Sequence, residues 1–445
     1  MKEFVQEVLE KSKAIQKKYS PFITIPEKID LPKTKGRLTG IAISVKDNIC
    51  TKDIQTTAGS KILEGYVPPF SATAVINALK EGAFIIGKTA MDEFGFGTFS
   101  VNCAYCIPKN PLDISRSCGG SSGGASCLTL AADFPHIALA ESTGGSISCP
   151  AAFTGTVGLT PTYGRVSRWG LIDYANSLDK IGCIGKTVHD VTLLLSVIAG
   201  PDNYDSTVLD IPKEDFTLYL KEKIKGVKIG VPKEYFENVN EKIVKVVWNS
   251  IQKLENLGAS YKEVSLPHTK YSLSAYYIIA MAESSTNLAK FCGMRYGLHL
   301  PLQGNYDEYF SVVRANGFGE EAKRRIILGT FARMAGFRDA YYLKALKVRT
   351  KVIEDFKLAF KKFDVLIAPT MPVVAPKFDE IEKLSPIEQY MMDILTVGPN
   401  LAGIPHISIP CGSVNGLPVG MHIIGDHLQE GKILQVAYAF EQVNK

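Results

Sequence analysis

The stretch from Arg116 to Gly170 reads RSCGGSSGGASCLTLAADFPHIALAESTGGSISCPAAFTGTVGLTPTYGRVSRWG. Two glycine-rich, serine-bearing turns, GGSSGG at Gly119–Gly124 and TGGS at Thr143–Ser146, flank one small-residue segment. Glycine lets backbone approach a ligand closely and take dihedrals that other residues avoid. Between the turns, Ala125–Ala132 predicts a buried helix and Ile137–Ala140 a short buried strand. A serine in such a turn is a candidate nucleophile. No base stands beside it in the chain, so the rest of the sequence must supply one.

The strands and helices around this stretch alternate. An opening helix leads to Gly40–Val45, a buried strand that stops at Lys46-Asp47-Asn48. Lys46 therefore sits where a strand ends and a loop begins, a common place for catalytic groups in α/β folds. Ala72–Glu81 predicts a helix feeding the strand Ala83–Ile86. Further on, Lys186–Gly200 predicts a helix, Val227–Val231 a strand, and Glu241–Leu257 a helix with Ile243, Val247, Ile251 and Leu254 on one face. A helix follows over Tyr271–Leu288, and Arg324–Arg325 precede another. Val348, Val352, Phe356 and Phe360 form the core stripe of the next. Asp364–Ala368, Ile407–Ile409 and Val419–Ile424 predict strands, and Lys432–Gln442 a closing helix. The pattern predicts α/β class: one domain over residues 1–445, with a mixed central sheet covered by helices. Within it, 1–38 is an N-terminal helical segment, about 39–200 the catalytic core, and the remainder completes the sheet and a substrate pocket.

Composition narrows the function classes. Of 445 residues, 46% are hydrophobic and 21% charged, as in a globular chain with a full core. The net charge of +5 is dispersed, without a basic block that would suit direct nucleic-acid binding. Nine cysteines over this length do not read as a secreted disulfide framework. No apolar run reaches the ~20 residues of a membrane span, and the charged start has no apolar leader. The expected location is cytoplasmic.

Three short expressions match without their structural context. Gly82–Thr89 (GAFIIGKT) fits the phosphate-loop pattern, but Ala-Phe-Ile-Ile reads as the strand itself, leaving no loop to cradle phosphate. Cys103-Ala-Tyr-Cys106 has no second ligand pair, so two buried thiols are expected and no metal site. Gly119–Gly123 fits G-x-S-x-G, yet Asn110–Ser117 is polar and proline-bearing where a nucleophile elbow needs a buried strand.

Lys46, Ser121 and Ser146 together make a chemical unit. A lysine is a base only when neutral, which requires burial to depress its pKa from ~10.4. A neutral amine could draw a proton through one hydroxyl and activate a second serine. Thr143, Gly144 and Gly145 would then offer backbone N–H groups to an oxyanion. At these residues the chain resembles the amidase signature family. That resemblance implies Ser146 as nucleophile, Ser121 as the cis-serine behind a cis peptide bond, and Lys46 as base. Further segments (SVKDNICTKDIQTTAGSKIL, KTAMDEFGFGTFS, PTYGRVSRWGLI, GVPKEYF, VSLPHTKYSLSAYYIIAMAESSTNLA, KRRIILGTF and NLAGIPHISIPCG) resemble the A subunits of tRNA-dependent amidotransferases.

The narrower resemblance implies that Tyr276, Arg325 and Asp393 contact glutamine. Arg325 would fork onto its α-carboxylate, and Asp393 would pair with its α-ammonium. Without it, Tyr276 reads as a core aromatic and the two charges as surface residues. It also implies ammonia delivery to a B subunit that holds ATP and magnesium and handles Glu-tRNA(Gln), possibly Asp-tRNA(Asn) too. A C subunit would clamp this chain to the B subunit, and this chain would carry no cofactor. Where the family has G-S-D-T, this chain has Ala140-Glu141-Ser142-Thr143. After the nucleophile, Ser148 and Cys149 replace arginine and glutamine. Ser142 and Ser148 are expected to stand in for a structural ion pair, leaving the triad competent. The alternatives are a free-standing amidase of other small amides and a catalytically silent scaffold.

Overall fold

The computed structural model describes residues 1–444. In chain order its strands begin with β1 (Phe22–Thr24), β2 (Ala42–Lys46), β3 (Phe84–Thr89), β4 (Lys109–Asn110), β5 (Asp113–Ser117) and β6 (His136–Ser142). They continue with β7 (Val157–Thr160), β8 (Lys180–Gly185), β9 (Lys228–Pro232), β10 (Ser260–Val264), β11 (Val365–Pro369), β12 (His406–Val414) and β13 (Leu417–Gly425). Eleven of them form one sheet, ordered β1-β3-β2-β6-β8-β7-β12-β13-β11-β9-β10, while β4 and β5 pair by themselves. The sheet is mixed: β3, β2 and β6 run parallel, as do β11, β9 and β10, and antiparallel pairs join the two groups.

Alternation along β6 shows how the sequence fills both faces. Ile137 and Leu139 join a cluster with Ile43, Val45, Leu195, Ile251 and Phe440, drawn from the sheet and three helices. Ala138 and Ala140 point the other way, onto Ala125 and Ile147. The small side chains on that second face let the helix Gly123–Ala131 lie close on the sheet, which fixes the first Gly/Ser turn against β2 and β6. Each buried aliphatic on the first face contributes about 1.5–3 kcal/mol of transfer free energy. The N-terminal helix Lys2–Tyr19 packs Val5, Val8 and Leu9 on Phe84 and Leu128.

Several boundaries differ from the sequence expectation. Gly82–Thr89 does supply a strand, and Lys88 is buried beneath it, donating to the Ile49 carbonyl and to Thr56 Oγ1. Burial lowers this lysine to about 8. Asn110–Ser117 is not all loop: it carries the β4–β5 hairpin, which stands apart from the main sheet and leaves Ile114 exposed. Arg324 and Arg325 lie inside the helix Glu320–Arg333 and do not precede it. Gly319 stands before that helix and Glu320–Glu321 occupy its first turn, where acidic groups favour the helix dipole. Cys103 and Cys106 are half-buried and not fully buried as expected, because their loop lies at the outer edge of β1, where Cys106 Sγ donates to the Phe22 carbonyl at 3.2 Å. No helix among the described residues is long and apolar enough to cross a membrane.

Candidate active site

Lys46 is the last residue of β2, at the carboxyl end of the parallel group, and is fully buried. Asp47 turns the chain there by accepting from the Thr57 amide at 2.9 Å and the Thr57 hydroxyl. Lys46 Nζ donates to Ser121 Oγ at 2.8 Å. It also donates to the carbonyl of Glu141 at 2.9 Å and to Glu141 Oε2 at 2.8 Å. The amine is thus buried as expected, but it is not alone. Glu141, near the end of the neighbouring parallel strand, is not among the residues the sequence singles out for a role.

The two Gly/Ser turns meet back to back. The Ser122 amide donates to the Ser146 carbonyl at 3.2 Å, and Ser122 Oγ donates to the Glu141 carbonyl at 3.2 Å. The Gly120–Ser121 peptide bond is cis. Gly124 cannot be larger, because a Cβ there would run into the Pro21 carbonyl and the Ala90 backbone. Ser146 is buried at 6% exposure, and its hydroxyl makes no hydrogen bond among the described residues. No hydrogen bond therefore joins Ser146 Oγ to Ser121 among the described residues.

The Thr143–Ser146 turn is held from outside. Asn400 donates to the Gly144 carbonyl at 2.7 Å. Among the described residues, the amides of Gly144, Gly145 and Ser146 donate to no protein acceptor. Thr143 contributes its hydroxyl instead, with Glu141 Oε1 at 2.8 Å and Asp179 Oδ1 at 2.9 Å. Tyr276 roofs this turn, its hydroxyl only 2.5 Å from where a Gly144 Cβ would stand.

Arg325 and Asp393 are both buried, at 3% and 8% exposure, which overturns their reading as surface charges. Arg325 donates through Nε to Glu321 at 2.8 Å and through Nη1 to Tyr174 at 2.7 Å. Its guanidinium lies 5.1–5.9 Å from the ring centres of Phe96, Tyr174, Tyr277 and Tyr390. Two arms of the expected fork are thus engaged within the protein. Asp393 accepts from the Tyr277 hydroxyl at 2.6 Å and from Thr98 at 3.1 Å. Burial pushes its carboxyl up to about 6 against those two hydrogen bonds. Tyr277 connects the two, stacking under Arg325 and donating to Asp393. Of the partners, Glu321, Tyr174 and Tyr277 gave no sequence signal, since each reads alone as an ordinary helix or core residue.

The substituted positions leave no unpaired ion. Ser148 Oγ lies 3.2 Å from His406 Nδ1, which in turn meets His422 at 2.9 Å. Ser142 Oγ is buried without a partner. Burial holds both histidines below their ordinary range, hence neutral. Among the described residues, no three His, Cys, Asp or Glu side chains gather as a metal site.

An amine, two serines and a backbone turn of unused amides beneath a tyrosine are the equipment of an amide hydrolase. The family model described as Amidase matches residues 3–434. The chain belongs to the amidase signature family. It is 50% identical to the A subunit of the glutamyl-tRNA(Gln) amidotransferase of Thermoanaerobacter pseudethanolicus, over all of this chain and 93% of that one. The crystal structure of the corresponding A subunit from Thermotoga maritima, again of a glutamyl-tRNA(Gln) amidotransferase, matches with a TM-score of 0.86 at 38% identity, covering 99% of this chain and 91% of that one. Native peptide amidase from Stenotrophomonas maltophilia matches at 0.80 and 27% identity, over 100% and 93% of the chains.

Proposed function

We propose that this chain is the glutaminase subunit of a tRNA-dependent amidotransferase, with Ser146, Ser121 and Lys46 as its working groups. Ser146 attacks the side-chain amide carbon of glutamine. Its proton passes to Ser121 as Ser121 gives its own to Lys46, and the oxyanion settles on the amides of the Thr143–Ser146 turn. The proton returns along the same path to the departing nitrogen, and ammonia leaves. Water then attacks the acyl-enzyme, with the relay again taking a proton, and glutamate is released.

The observation that carries this reading is the 2.8 Å contact from a fully buried lysine amine, at the end of β2, to Ser121 Oγ in the first Gly/Ser turn. Tyr276, Arg325 and Asp393 favour glutamine over a simple amide. An amino-acid substrate presents both an ammonium and a carboxylate, which the buried Asp393 and Arg325 oppose in sign. Ammonia then serves a B subunit, which amidates Glu-tRNA(Gln) with ATP and magnesium, while a C subunit holds the B subunit to this chain in the cytoplasm. Ser146→Ala is expected to lower glutamine hydrolysis by on the order of 10³-fold or more. Amidation fed by free ammonium should persist in that variant with its partner subunits. Full glutamine hydrolysis by Ser146→Ala would overturn the proposal, and loss of ammonium-fed amidation would point to a scaffold role instead.

A further inference from the structure

We infer that Glu141 is a positioning residue that holds the Lys46 proton at rest and thereby sets the pH at which the relay begins to turn over. This rests on the proposed Ser146–Ser121–Lys46 assignment. The two side chains are 0% and 1% exposed and 2.8 Å apart, so water neither screens nor replaces the contact.

The charge on Glu141 decides the resting form of Lys46. An ammonium has three N–H donors and no acceptor. Lys46 Nζ has three acceptors around it: Ser121 Oγ, the Glu141 carbonyl and Glu141 Oε2. A free amine would meet the same three by accepting from the Ser121 hydroxyl and donating to the two Glu141 oxygens, so the charge of Glu141 is what separates the two forms. On the other side, Glu141 Oε2 also accepts from Asn48 at 3.1 Å, and Glu141 Oε1 lies 2.8 Å from Thr143 Oγ1. Thr143 has one hydroxyl proton but faces two carboxylates, the second being Asp179 at 2.9 Å. A proton must therefore reside on one of them. Burial first, and the neighbouring charge of Glu141 second, drive Asp179 well above the usual carboxylate range. Asp179 is the acid, Thr143 passes its proton on, and Glu141 is the anion.

The other charged groups nearby do not substitute for it. Asp92 reaches Lys46 through its field, but its oxygens accept from the Ser100 and Asn102 amides at 2.9 Å. Asp47 turns to Thr57, with Lys88 as its nearest cation. Arg168 acts on Asp179, and Arg325 is engaged with Glu321 and Tyr174. Only Glu141 touches the amine. A carboxylate in contact favours the ammonium over the free amine, and the relay needs the free amine. The serine that the family resemblance places at this position would exert no such hold.

The pH profile of kcat/KM for glutamine hydrolysis, measured on the assembled complex, tests this. Glu141→Gln and Glu141→Ser are expected to move the acidic limb down by about one pH unit or more, a ten-fold change in proton affinity. Glu141→Asp, which keeps the charge, should hold the limb near its wild-type position. A purely structural role would lower rates at every pH and leave the limbs coincident, which would overturn the inference. Should the neutral variants fail to fold, the 15N resonance of Lys46 Nζ in the wild-type chain decides. An ammonium signal persisting to pH 8 supports the inference, and a free amine at pH 7 contradicts it. Ser146→Ala run in parallel separates the two claims: if it still hydrolyses glutamine, the relay assignment fails and the Glu141 question falls with it.

Discussion

Asp393 is a carboxylate out of water, held by the hydroxyls of Tyr277 and Thr98 and by the field of Arg325, which together do not offset its burial. Because burial lifts it to about 6, it is protonated below that pH and anionic above it. An anion is what holds a substrate ammonium, so KM for glutamine should climb as pH falls through 6. Asp393→Asn should raise KM by on the order of ten-fold or more and flatten that pH dependence, since loss of a charge-assisted hydrogen bond costs about 1.5–3 kcal/mol. Steady-state kinetics between pH 5 and pH 8 would check both. The same scale shows what the sequence could carry. Lys46, Ser121 and Ser146 were legible because each sits at a strand end or Gly/Ser turn. Glu141 reads only as a departure from the family pattern, because its function depends on which strand lies beside it.

The helices that present Tyr276 and Arg325 are Ser272–Asn287 and Glu320–Arg333, and they touch through backbone. Gly329 makes that possible: a Cβ there would run into the Met281 carbonyl. Gly329→Ala is therefore expected to push the second helix outward, destabilise the chain by about 1–3 kcal/mol, and raise KM by displacing Arg325 one turn earlier. Denaturant unfolding and glutamine kinetics would report the two effects separately. Strands with continuous apolar runs, such as β3, β6 and β13, were readable from the sequence. β8 (KIGCIG) was not, since a lysine and two glycines mask its buried pairing with β6 and β7. The Arg325 surroundings were equally hidden, because Phe96, Tyr174, Tyr277 and Tyr390 come from four distant segments that only the tertiary fold brings together.

Over the whole molecule, one mixed sheet and the helices upon it bury Lys46, Ser121, Ser146, Tyr276, Arg325 and Asp393 together in the interior. The parallel strands β2 and β6 supply the amine and its carboxylate, the turn after β5 supplies Ser121, the turn after β6 supplies Ser146, and the later helices supply the roof. Every step of the proposed chemistry depends on Ser146 being the residue that accepts the acyl group. Mass spectrometry of the chain after treatment with a glutamine analogue bearing an electrophile at the amide carbon tests that most directly. One adduct is expected, mapped to Ser146, formed more slowly in Lys46→Ala and absent from Ser146→Ala. An adduct on another residue, or undiminished labelling of Ser146→Ala, would contradict it.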